Sequence, residues 1–492
     1  MVTSRVAKVL VLVTLIVTSC SLNRTSTHPS STPSFSPGTI AWKDCGGSFQ
    51  CGSLQVPLDY DHPSARTISL ALLRVRARDS AKRIGSVLLN PGGPGESGIE
   101  FLRGDVKSLT GLNQRFDLVT WDPRGVAAST PAVTCIDNSE LDAFLSLDVV
   151  LDDAQEKQSA IQAMKDFAAG CEKRSGDVLP FMDTATNARD MDQIRIAVGD
   201  DKLTYLGFSY GTYIGEWYAR LFPTRVRALA LDGIVDPTVP ANDSLLAQTV
   251  GFEQNLQAFL AYCRSSSSCG YGRKGDPGQK LLALMQRLDS NPIRVGGREL
   301  TRALAMTGVL LSLYDQSLWR YLDQALTAAQ NGDGRILMVL ADFYNHRQAD
   351  GTYTNLFNGA YLSAYCLDWP VPADIADYDR LGTAFAKASA LFGPFMQYGN
   401  LQCAYWPVKP KRQQGPLPVD GAPPILLVGG TNDPATPYAE SVAVSKQIEG
   451  SVLLTRQGNG HTSYDSSSCA HAAEDAYLTE LALPAPGTVC SG

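Results

Sequence analysis

The chain has 492 residues, of which 44% are hydrophobic and 18% charged, and its formal net charge at pH 7 is -7. This length exceeds one ordinary hydrophobic core, which stops growing near roughly 250 to 300 residues, so we expect a main domain plus a large insertion or second domain. The composition is that of a soluble globular protein, and the acidic balance excludes a polyanion-binding surface, so we expect no nucleic-acid partner.

The first residues have the pattern of a signal peptide. Arg5 and Lys8 precede an apolar stretch, residues 9–17, that is too short to cross a bilayer as a helix. The stretch ends in Val17-Thr18-Ser19-Cys20, which resembles the lipobox of bacterial lipoproteins, where the cysteine thiol carries a lipid after cleavage. We therefore predict lipidation of Cys20 in an exported protein, either anchored to the outer face of the bacterial cell membrane or secreted. An ordinary signal peptide followed by an incidental cysteine is the alternative.

A segment rich in Ser, Thr and Pro follows the predicted signal peptide of 1–19. Over 20–38 the chain has few apolar residues, and such a composition cannot bury enough surface to order itself. We interpret this segment as a tether between the membrane and the folded part of the protein.

Short apolar runs recur along the remainder of the chain, each followed by a loop and often by a helical pattern. Near-continuous apolar strands are typical of a sheet buried on both faces, which is a largely parallel sheet with crossover helices. We therefore predict an α/β fold that opens with two strands between 54 and 77, flanking the turn-like Asp61-His62-Pro63-Ser64. The other predicted strands are 87–90, 116–122, 203–209, 226–232, 425–429 and 452–455.

The rhythm breaks between 236 and 409, where the pattern is mostly helical. We predict an inserted, mainly helical cap over 236–409, between a first part of the α/β core (39–235) and its C-terminal part (410–492). The clearest helical face in the insertion is formed by residues at spacings of three and four, namely Leu245, Thr249, Phe252, Leu256 and Phe259.

Ser209 is the predicted nucleophile. It lies in Gly207-Phe208-Ser209-Tyr210-Gly211, directly after a predicted strand and before a helical pattern over 212–221. The pattern G-x-S-x-G alone is weak evidence, but between a strand and a helix it is typical of the nucleophile elbow of α/β-hydrolases, whose strained turn needs small neighbours. Such an elbow exposes the hydroxyl, and the positive end of the following helix faces the developing charge.

A serine hydroxyl needs a base, and that base needs an orienting carboxylate. In this fold the chain order is Ser, then Asp or Glu, then His. His461 follows the last predicted strand, and Asp433 follows the strand at 425–429, so we predict the triad Ser209, Asp433 and His461. The other histidines precede the serine, lie in the predicted cap or lie in an alanine-rich helical stretch, and they are His28, His62, His346 and His471.

The tetrahedral intermediate of acyl transfer also needs N–H donors. The run Asn90-Pro91-Gly92-Gly93-Pro94-Gly95 follows the predicted strand at 87–90, the position from which this fold builds half of its oxyanion hole. We predict one donor from Gly92 or Gly93 and the other from Tyr210. A phosphate loop is the disfavoured alternative, because the run lacks a Lys-Ser/Thr ending and its prolines remove donors.

The chain has 11 cysteines, so ten remain when Cys20 is set aside, an even number in a chain that we expect to be exported. We predict five disulfides. Pairing between sequence neighbours is the simplest connectivity, and other pairings stay open. No cysteine pair has C-x-x-C spacing and the histidines do not cluster with the thiols, so we predict no metal site and no cofactor.

Six segments carry a family resemblance: Val56-Pro57-Leu58-Asp59-Tyr60, residues 90–95, Asp122-Pro123-Arg124-Gly125, residues 207–213, residues 433–437 and Gly460-His461. Together they resemble the tripeptidyl aminopeptidase-like branch of the α/β-hydrolases, secreted bacterial relatives of prolyl iminopeptidase. The resemblance extends from about Cys45 to Cys490 and is weakest in the predicted cap. It implies that Ser209, Asp433 and His461 form the triad, and that the enzyme releases short peptides, tripeptides foremost, from free N-termini.

Recognition of a protonated amine requires carboxylates that are partly sheltered from water. Glu96 after the glycine run and Glu216 in the elbow helix replace small residues that are usual in the family, and both are candidates for substrate binding. Asp368, which precedes Trp369, is a third candidate because a disulfide of Cys366 would pin it at the mouth of the cap. For all three the alternative is a structural carboxylate that is solvated, paired or capping backbone groups.

These residues predict a serine exopeptidase whose partners are peptides with a free N-terminus and, through the lipid anchor, a membrane. A cell-envelope esterase or lipase is the second hypothesis, because the same triad acts on esters as well as amides and fold alone does not decide function. A catalytically silent surface binding protein is the third hypothesis. The sequence predicts no oligomeric state.

Overall fold

The computed structural model of the protein describes residues 35–411 and 414–491. The predicted signal peptide, the predicted lipidation site Cys20 and the tether up to residue 34 lie outside the described residues. Across the described ranges, no helix has both the length and the apolar character that crossing a bilayer requires.

Ten of the described strands form one sheet, and the remaining two form a short hairpin. The strands are β1 Lys43–Asp44, β2 Phe49–Pro57, β3 Thr67–Val75, β4 Gly85–Asn90, β5 Phe116–Trp121, β6 Leu203–Phe208, β7 Val226–Asp232, β8 Ile293–Val295, β9 Arg298–Leu300, β10 Leu426–Asn432, β11 Val452–Asn459 and β12 Val489–Ser491. The order in the large sheet is β1-β2-β3-β5-β4-β6-β7-β10-β11-β12. Pairings from β1 to β5 are antiparallel, and all pairings from β5 to β12 are parallel.

Each predicted apolar run overlaps one of these strands, and the mostly parallel sheet confirms the predicted α/β fold. All residues of β4, β5 and β6 are buried, and so are all but one of the residues of β7. A strand that is covered on both faces has no solvent side, which is why these runs lack the alternation of apolar and polar residues.

Helices cover both faces of the sheet and fill the long segment between β7 and β10. They are α1 Gly98–Asp105, α2 Thr110–Asn113, α3 Asn138–Leu145, α4 Ala154–Ser175, α5 Thr184–Ala197, α6 Tyr210–Leu221, α7 Ala241–Ser265, α8 Pro277–Ser290, α9 Arg302–Tyr314, α10 Trp319–Gln330, α11 Arg335–Tyr344, α12 Tyr361–Asp368, α13 Ile375–Ala388, α14 Phe392–Met396, α15 Tyr438–Val444 and α16 Ser468–Glu480. Short 3-10 turns and one π turn, Leu356–Ala360, connect them.

The segment between β7 and β10 contains α7 to α14 and has an apolar core of its own. Phe252, Leu256 and Phe259, on the predicted face of α7, are buried there with Val309 and Leu313 of α9. A separate cluster packs between the sheet and its covering helices. Part of the insertion therefore packs around its own core, while α12 packs with the sheet cluster through residues such as Leu362 and Leu367. The boundaries 236–409 stay a prediction.

Two helices that the sequence analysis did not single out, α3 and α4, leave the core between β5 and β6. The described residues also contain five disulfides, Cys45–Cys51, Cys135–Cys171, Cys263–Cys269, Cys366–Cys403 and Cys469–Cys490, which join neighbouring cysteines along the sequence. Cys135–Cys171 joins the residues just before α3 to α4. Cys366–Cys403 joins α12 to the turn at Gly399–Tyr405.

A fully buried ion pair explains two of the segments that carry the family resemblance. The Arg124 guanidinium, after β5, donates to Asp190 Oδ1 at 2.6 Å and to Asp190 Oδ2 at 2.7 Å. It also donates to the carbonyl of Leu58 at 2.9 Å, while the Tyr60 hydroxyl donates to Asp190 Oδ1 at 2.7 Å. Both charged side chains are 0% exposed. These residues join the early strands to α5 and are structural.

We expect Arg124→Met to lower the free energy of unfolding by about 3–5 kcal/mol, because Asp190 is left buried without its charge partner. Chemical denaturation followed by fluorescence measures this loss. The double variant Arg124→Met with Asp190→Leu is expected to recover part of it. Equal losses in the single and double variants would contradict the charge argument and point to packing instead.

Candidate active site

Ser209 lies at a strained turn between β6 and α6. Its backbone has φ 53° and ψ -126°, a conformation that costs a residue with a Cβ of the order of 1–3 kcal/mol. The flanking glycines are required by space, because a side-chain carbon at Gly207 would lie 2.7 Å from the carbonyl of Gly211. One at Gly211 would lie 2.8 Å from the carbonyl of Asn90. The sequence motif thus forms the expected elbow geometry.

Backbone contacts hold this turn in place. The Ser209 N–H donates to the carbonyl of Asp232, at the end of β7, at 2.9 Å. The Thr212 N–H and hydroxyl donate to the Ser209 carbonyl at 2.8 Å and 2.7 Å. The strained residue is therefore fixed from the neighbouring strand and from its own helix.

His461 and Asp433 are in direct contact. The imidazole Nδ1 lies 2.8 Å from Asp433 Oδ1 and 2.9 Å from Oδ2. The carboxylate also accepts the N–H groups of Ala435 at 3.0 Å, Thr436 at 2.8 Å and Thr462 at 3.1 Å. This arrangement favours the tautomer that is protonated at Nδ1, so that Nε2 is the nitrogen available to act as the base of the predicted triad.

The environment keeps the Asp433 carboxyl ionised. Burial by itself raises its pKa, but the charge and hydrogen bond of His461 and the N–H donors of Thr436 and Thr462 outweigh burial, so the pKa lies below its ordinary value. A carboxylate that stays charged at neutral pH stabilises the imidazolium that forms when the histidine takes a proton.

The glycine run at 90–95 packs against the backbone on either side of Ser209. A side-chain carbon at Gly92 would lie 2.6 Å from the Phe208 carbonyl and 3.0 Å from the Tyr210 nitrogen. The Gly92 N–H already donates to Asn90 Oδ1 at 3.0 Å. Of the two predicted glycine donors, Gly93 is therefore the one suited to an oxyanion, with Tyr210 N–H as its partner. No acceptor for either N–H is found within the described part of the chain.

Ser209, Tyr210, Gly93 and His461 line one cavity of ≈ 630 Å³. Its roof comes from the insertion and from α3 and α4, and its wall is predominantly apolar and aromatic. Representative lining residues are Phe144, Met164, Phe252, Leu310, Tyr361, Tyr365 and Trp369. The cavity is large enough for several residues of a peptide or for an acyl chain.

The three carboxylates predicted to bind substrate have different surroundings. Glu96 lines the cavity, where its Oε1 lies 3.2 Å from Nε2 of His346. Asp368 does not line it; its carboxylate is buried and accepts the Thr184 hydroxyl at 2.5 Å. Glu216 is also buried, at 1% exposure, and is absent from the cavity wall. The structure brings only Glu96 to the serine and histidine, and the expected place of Asp368 at the mouth of the cap is corrected to an interior one.

The sequence analysis did not identify Asn255, which joins the cap to the loops that carry Asp433 and His461. The buried Asn255 of α7 accepts the Gly460 N–H at 3.1 Å and donates to the Asn432 carbonyl at 2.9 Å. These are the residues directly before His461 and Asp433. A polar side chain between the buried Phe252 and Phe259 on one helical face is the signal that marks it, since buried amides need partners.

The cap also holds the histidine through its main chain. The His461 N–H donates to the carbonyl of Tyr314, at the end of α9, at 2.7 Å. The Tyr314 ring lies edge-on to the imidazole with ring centres 5.5 Å apart. A side-chain carbon at Gly460 would lie 2.8 Å from the same carbonyl, so only glycine fits there.

Comparisons with known proteins agree with this fold. Residues 85–270 match the family model described as alpha/beta hydrolase fold, and residues 388–490 match the one described as TAP-like protein. Serine protease Hip1 of Mycobacterium tuberculosis is 37% identical over 90% of this chain and 88% of its own length. Carboxylesterase B of the same organism is 36% identical over 90% and 86%, and tripeptidyl aminopeptidase of Streptomyces coelicolor is 32% identical over 92% and 86%.

We expect Asn255→Leu to lower kcat by about 10- to 100-fold with little change in KM, because both catalytic loops lose a fixed partner and small misplacements cost up to about 10²-fold. Turnover of a p-nitrophenyl ester measures this. Gln257→Leu, an exposed position on the same helix, is the matched control. An Asn255→Leu protein that melts normally and keeps its kcat would refute the positioning role.

Proposed function

The chain belongs to the TAP-like family of α/β-hydrolases and is a serine hydrolase, and from this premise we propose that it is an aminopeptidase. It releases short peptides, tripeptides foremost, from the free N-termini of peptide substrates. The observation that carries the proposal is the composition of the cavity: its wall is predominantly apolar, and four acidic residues line it together with Ser209, namely Glu96, Asp148, Asp236 and Glu440. Such a space suits an apolar peptide end with a positive charge.

The proposed mechanism assigns one task to each group. The Ser209 hydroxyl attacks the scissile carbonyl while His461 Nε2 takes its proton, and Asp433 stabilises the imidazolium. The N–H groups of Gly93 and Tyr210 bind the oxyanion. The imidazolium then protonates the leaving amine, and water releases the acyl group from Ser209 by the same steps in reverse.

The roof of the cavity supports cleavage near chain ends. Helices of the insertion, together with α3 and α4, contribute to the wall of the space that contains Ser209. These helices leave less room at the serine than an open groove would, which supports a preference for chain ends. The tripeptide length is proposed from the family relatives named tripeptidyl aminopeptidase.

Export with a lipid anchor at Cys20 is part of the proposal. Five disulfides in the described residues support an oxidising compartment, because such bonds are rare where thiols are kept reduced. A lipid at Cys20 would keep the enzyme at the outer face of the membrane. Metabolic labelling with an alkyne fatty acid, compared between the wild type and Cys20→Ser, tests the anchor; no label on the wild type would refute it.

An esterase is the second candidate function. It is favoured by the apolar wall and by the relative named Carboxylesterase B, which is 36% identical. The same triad and oxyanion donors act on an ester, and an acyl chain needs no carboxylate partner. Turnover of acyl esters without turnover of peptides would favour this function over the peptidase.

We expect the wild type to cleave an unblocked tripeptidyl-aminomethylcoumarin at least about 100-fold faster, in kcat/KM, than its N-acetylated form. A site with buried groups that pair with a substrate N–H rejects an analogue lacking it by large factors. Equal cleavage of the two substrates would contradict the aminopeptidase.

We expect Ser209→Ala to lower kcat by about 10⁴-fold or more and to abolish labelling by a fluorophosphonate, because the nucleophile is lost. Far-UV circular dichroism and the melting temperature are the controls for folding. Full labelling of a folded Ser209→Ala protein would show that another residue is the nucleophile.

A further inference from the structure

We propose that Glu440, a residue that neither the motif nor the family resemblance singles out, binds the free ammonium group of the substrate. The inference rests on the proposed aminopeptidase and names the part of its cavity that recognises the N-terminus. Glu440 lies in the first turn of α15, seven residues after Asp433, and its side chain contributes to the cavity wall. The catalytic acid and the proposed amine site are therefore on one short stretch of chain.

The Glu440 carboxyl is buried with an unused oxygen. The residue is 7% exposed, its Oε2 accepts the Asp236 N–H at 2.9 Å, and its Oε1 has no hydrogen-bond partner in the residues that the structure describes. Buried polar atoms are nearly always paired, since an unpaired one costs about 1–3 kcal/mol. A cationic donor that enters the cavity removes this deficit.

The pKa of the Glu440 carboxyl is consistent with a site that ionises when a cation binds. Burial, the largest cause, raises its pKa to about 8 even though the Asp236 N–H opposes the shift. The carboxyl is therefore mainly protonated in the empty cavity at neutral pH. An arriving ammonium favours the ionised form, and the pair then forms a charge-assisted hydrogen bond in a setting with little water.

Glu96, which also lines the cavity, is already paired with a histidine. His346 faces it from the cap at 3.2 Å and faces Glu100 at 3.9 Å. Burial alone lowers the pKa of His346, but the nearby carboxylates of Glu100 and Glu96 outweigh burial and raise the pKa to about 9. The imidazole is charged at neutral pH, so a substrate ammonium at Glu96 would have to compete with a resident cation.

Asp148 and Asp236 also line the cavity, and each has polar partners: Asp148 pairs with Arg302 at 2.6 Å, and Asp236 accepts three hydrogen bonds at Oδ1. Asp236 Oδ1 accepts the Thr238 N–H at 2.9 Å, the Thr238 hydroxyl at 2.8 Å and the Gln447 amide at 3.1 Å. The Asp368 carboxylate is bonded to Thr184, away from the cavity wall. Among the acidic residues of the cavity wall in the described part of the chain, Glu440 is thus the one with a buried side-chain oxygen that has no hydrogen-bond partner.

The surroundings of Glu440 suit the first residue of a peptide. Tyr365 lines the same cavity as Glu440, and burial raises the pKa of its phenol. The Tyr365 ring stacks between those of Tyr361 and Trp369, with centres 5.3 Å and 5.0 Å away. An ammonium at Glu440 would have an aromatic wall beside it for the adjoining side chain.

The test compares Glu440→Gln with Glu96→Gln in the intact enzyme, using an unblocked tripeptidyl-aminomethylcoumarin and its N-acetylated form. Gln keeps the shape and the acceptor for the Asp236 N–H but removes the charge. For the unblocked substrate we expect Glu440→Gln to lower kcat/KM by about 10- to 100-fold, mainly through KM, and to leave the acetylated substrate unaffected. Glu96→Gln is expected to keep the wild-type ratio between the two substrates.

Each outcome decides between the inference and the proposed function. If the wild type cleaves both substrates equally, the aminopeptidase fails and the amine site with it. If the wild type discriminates and Glu440→Gln keeps the same ratio, only the assignment of Glu440 fails. Loss of discrimination in Glu96→Gln alone would assign the role to Glu96. The fluorophosphonate labelling rate and the partial activity expected of Glu440→Asp, which retains the charge, separate this effect from misfolding.

Discussion

The side chain of Asp433 is fully removed from water, so a charge on it persists only if other groups surround it with donors. Three backbone N–H groups and the imidazole of His461 provide them. Because these donors come from two separate loops, the loops after β10 and β11 must meet at the same edge of the sheet. Parallel pairing of β10 with β11, which sets Asn432 opposite Asn459, produces that meeting.

The same reasoning extends from the two loops to the cap. Asn255 is bonded to the residue before each catalytic side chain, and the Tyr314 carbonyl takes the His461 N–H. The insertion between β7 and β10 is thus attached to the catalytic residues by hydrogen bonds as well as by packing. Asn255 of α7 and the Tyr314 carbonyl of α9 are therefore among the groups that fix the positions of the loops carrying Asp433 and His461.

Local signals in the sequence were sufficient for the strands, the elbow and the pairing of Asp433 with His461. Apolar runs report burial on both faces, and G-x-S-x-G reports a turn whose neighbours have no room for a side chain. The surroundings of carboxylates cannot be read in this way, because partners distant in sequence determine them. Asp368 meets Thr184 across 184 positions, and Glu96 meets His346 across 250. The contribution of α3 and α4 to the cavity wall was not predicted either, because it depends on contacts with residues that are distant in sequence.

What separates a peptidase from an esterase here is the charge balance of the cavity rather than the triad. An apolar wall accepts an acyl chain and a hydrophobic side chain equally well, and the oxyanion donors do not distinguish esters from amides. A carboxylate that is already paired, such as Glu96 with His346, adds no preference for a cation. A buried carboxyl with an unpaired oxygen, such as Glu440, adds such a preference. An ammonium group can donate a hydrogen bond to that oxygen, and a neutral acyl chain cannot.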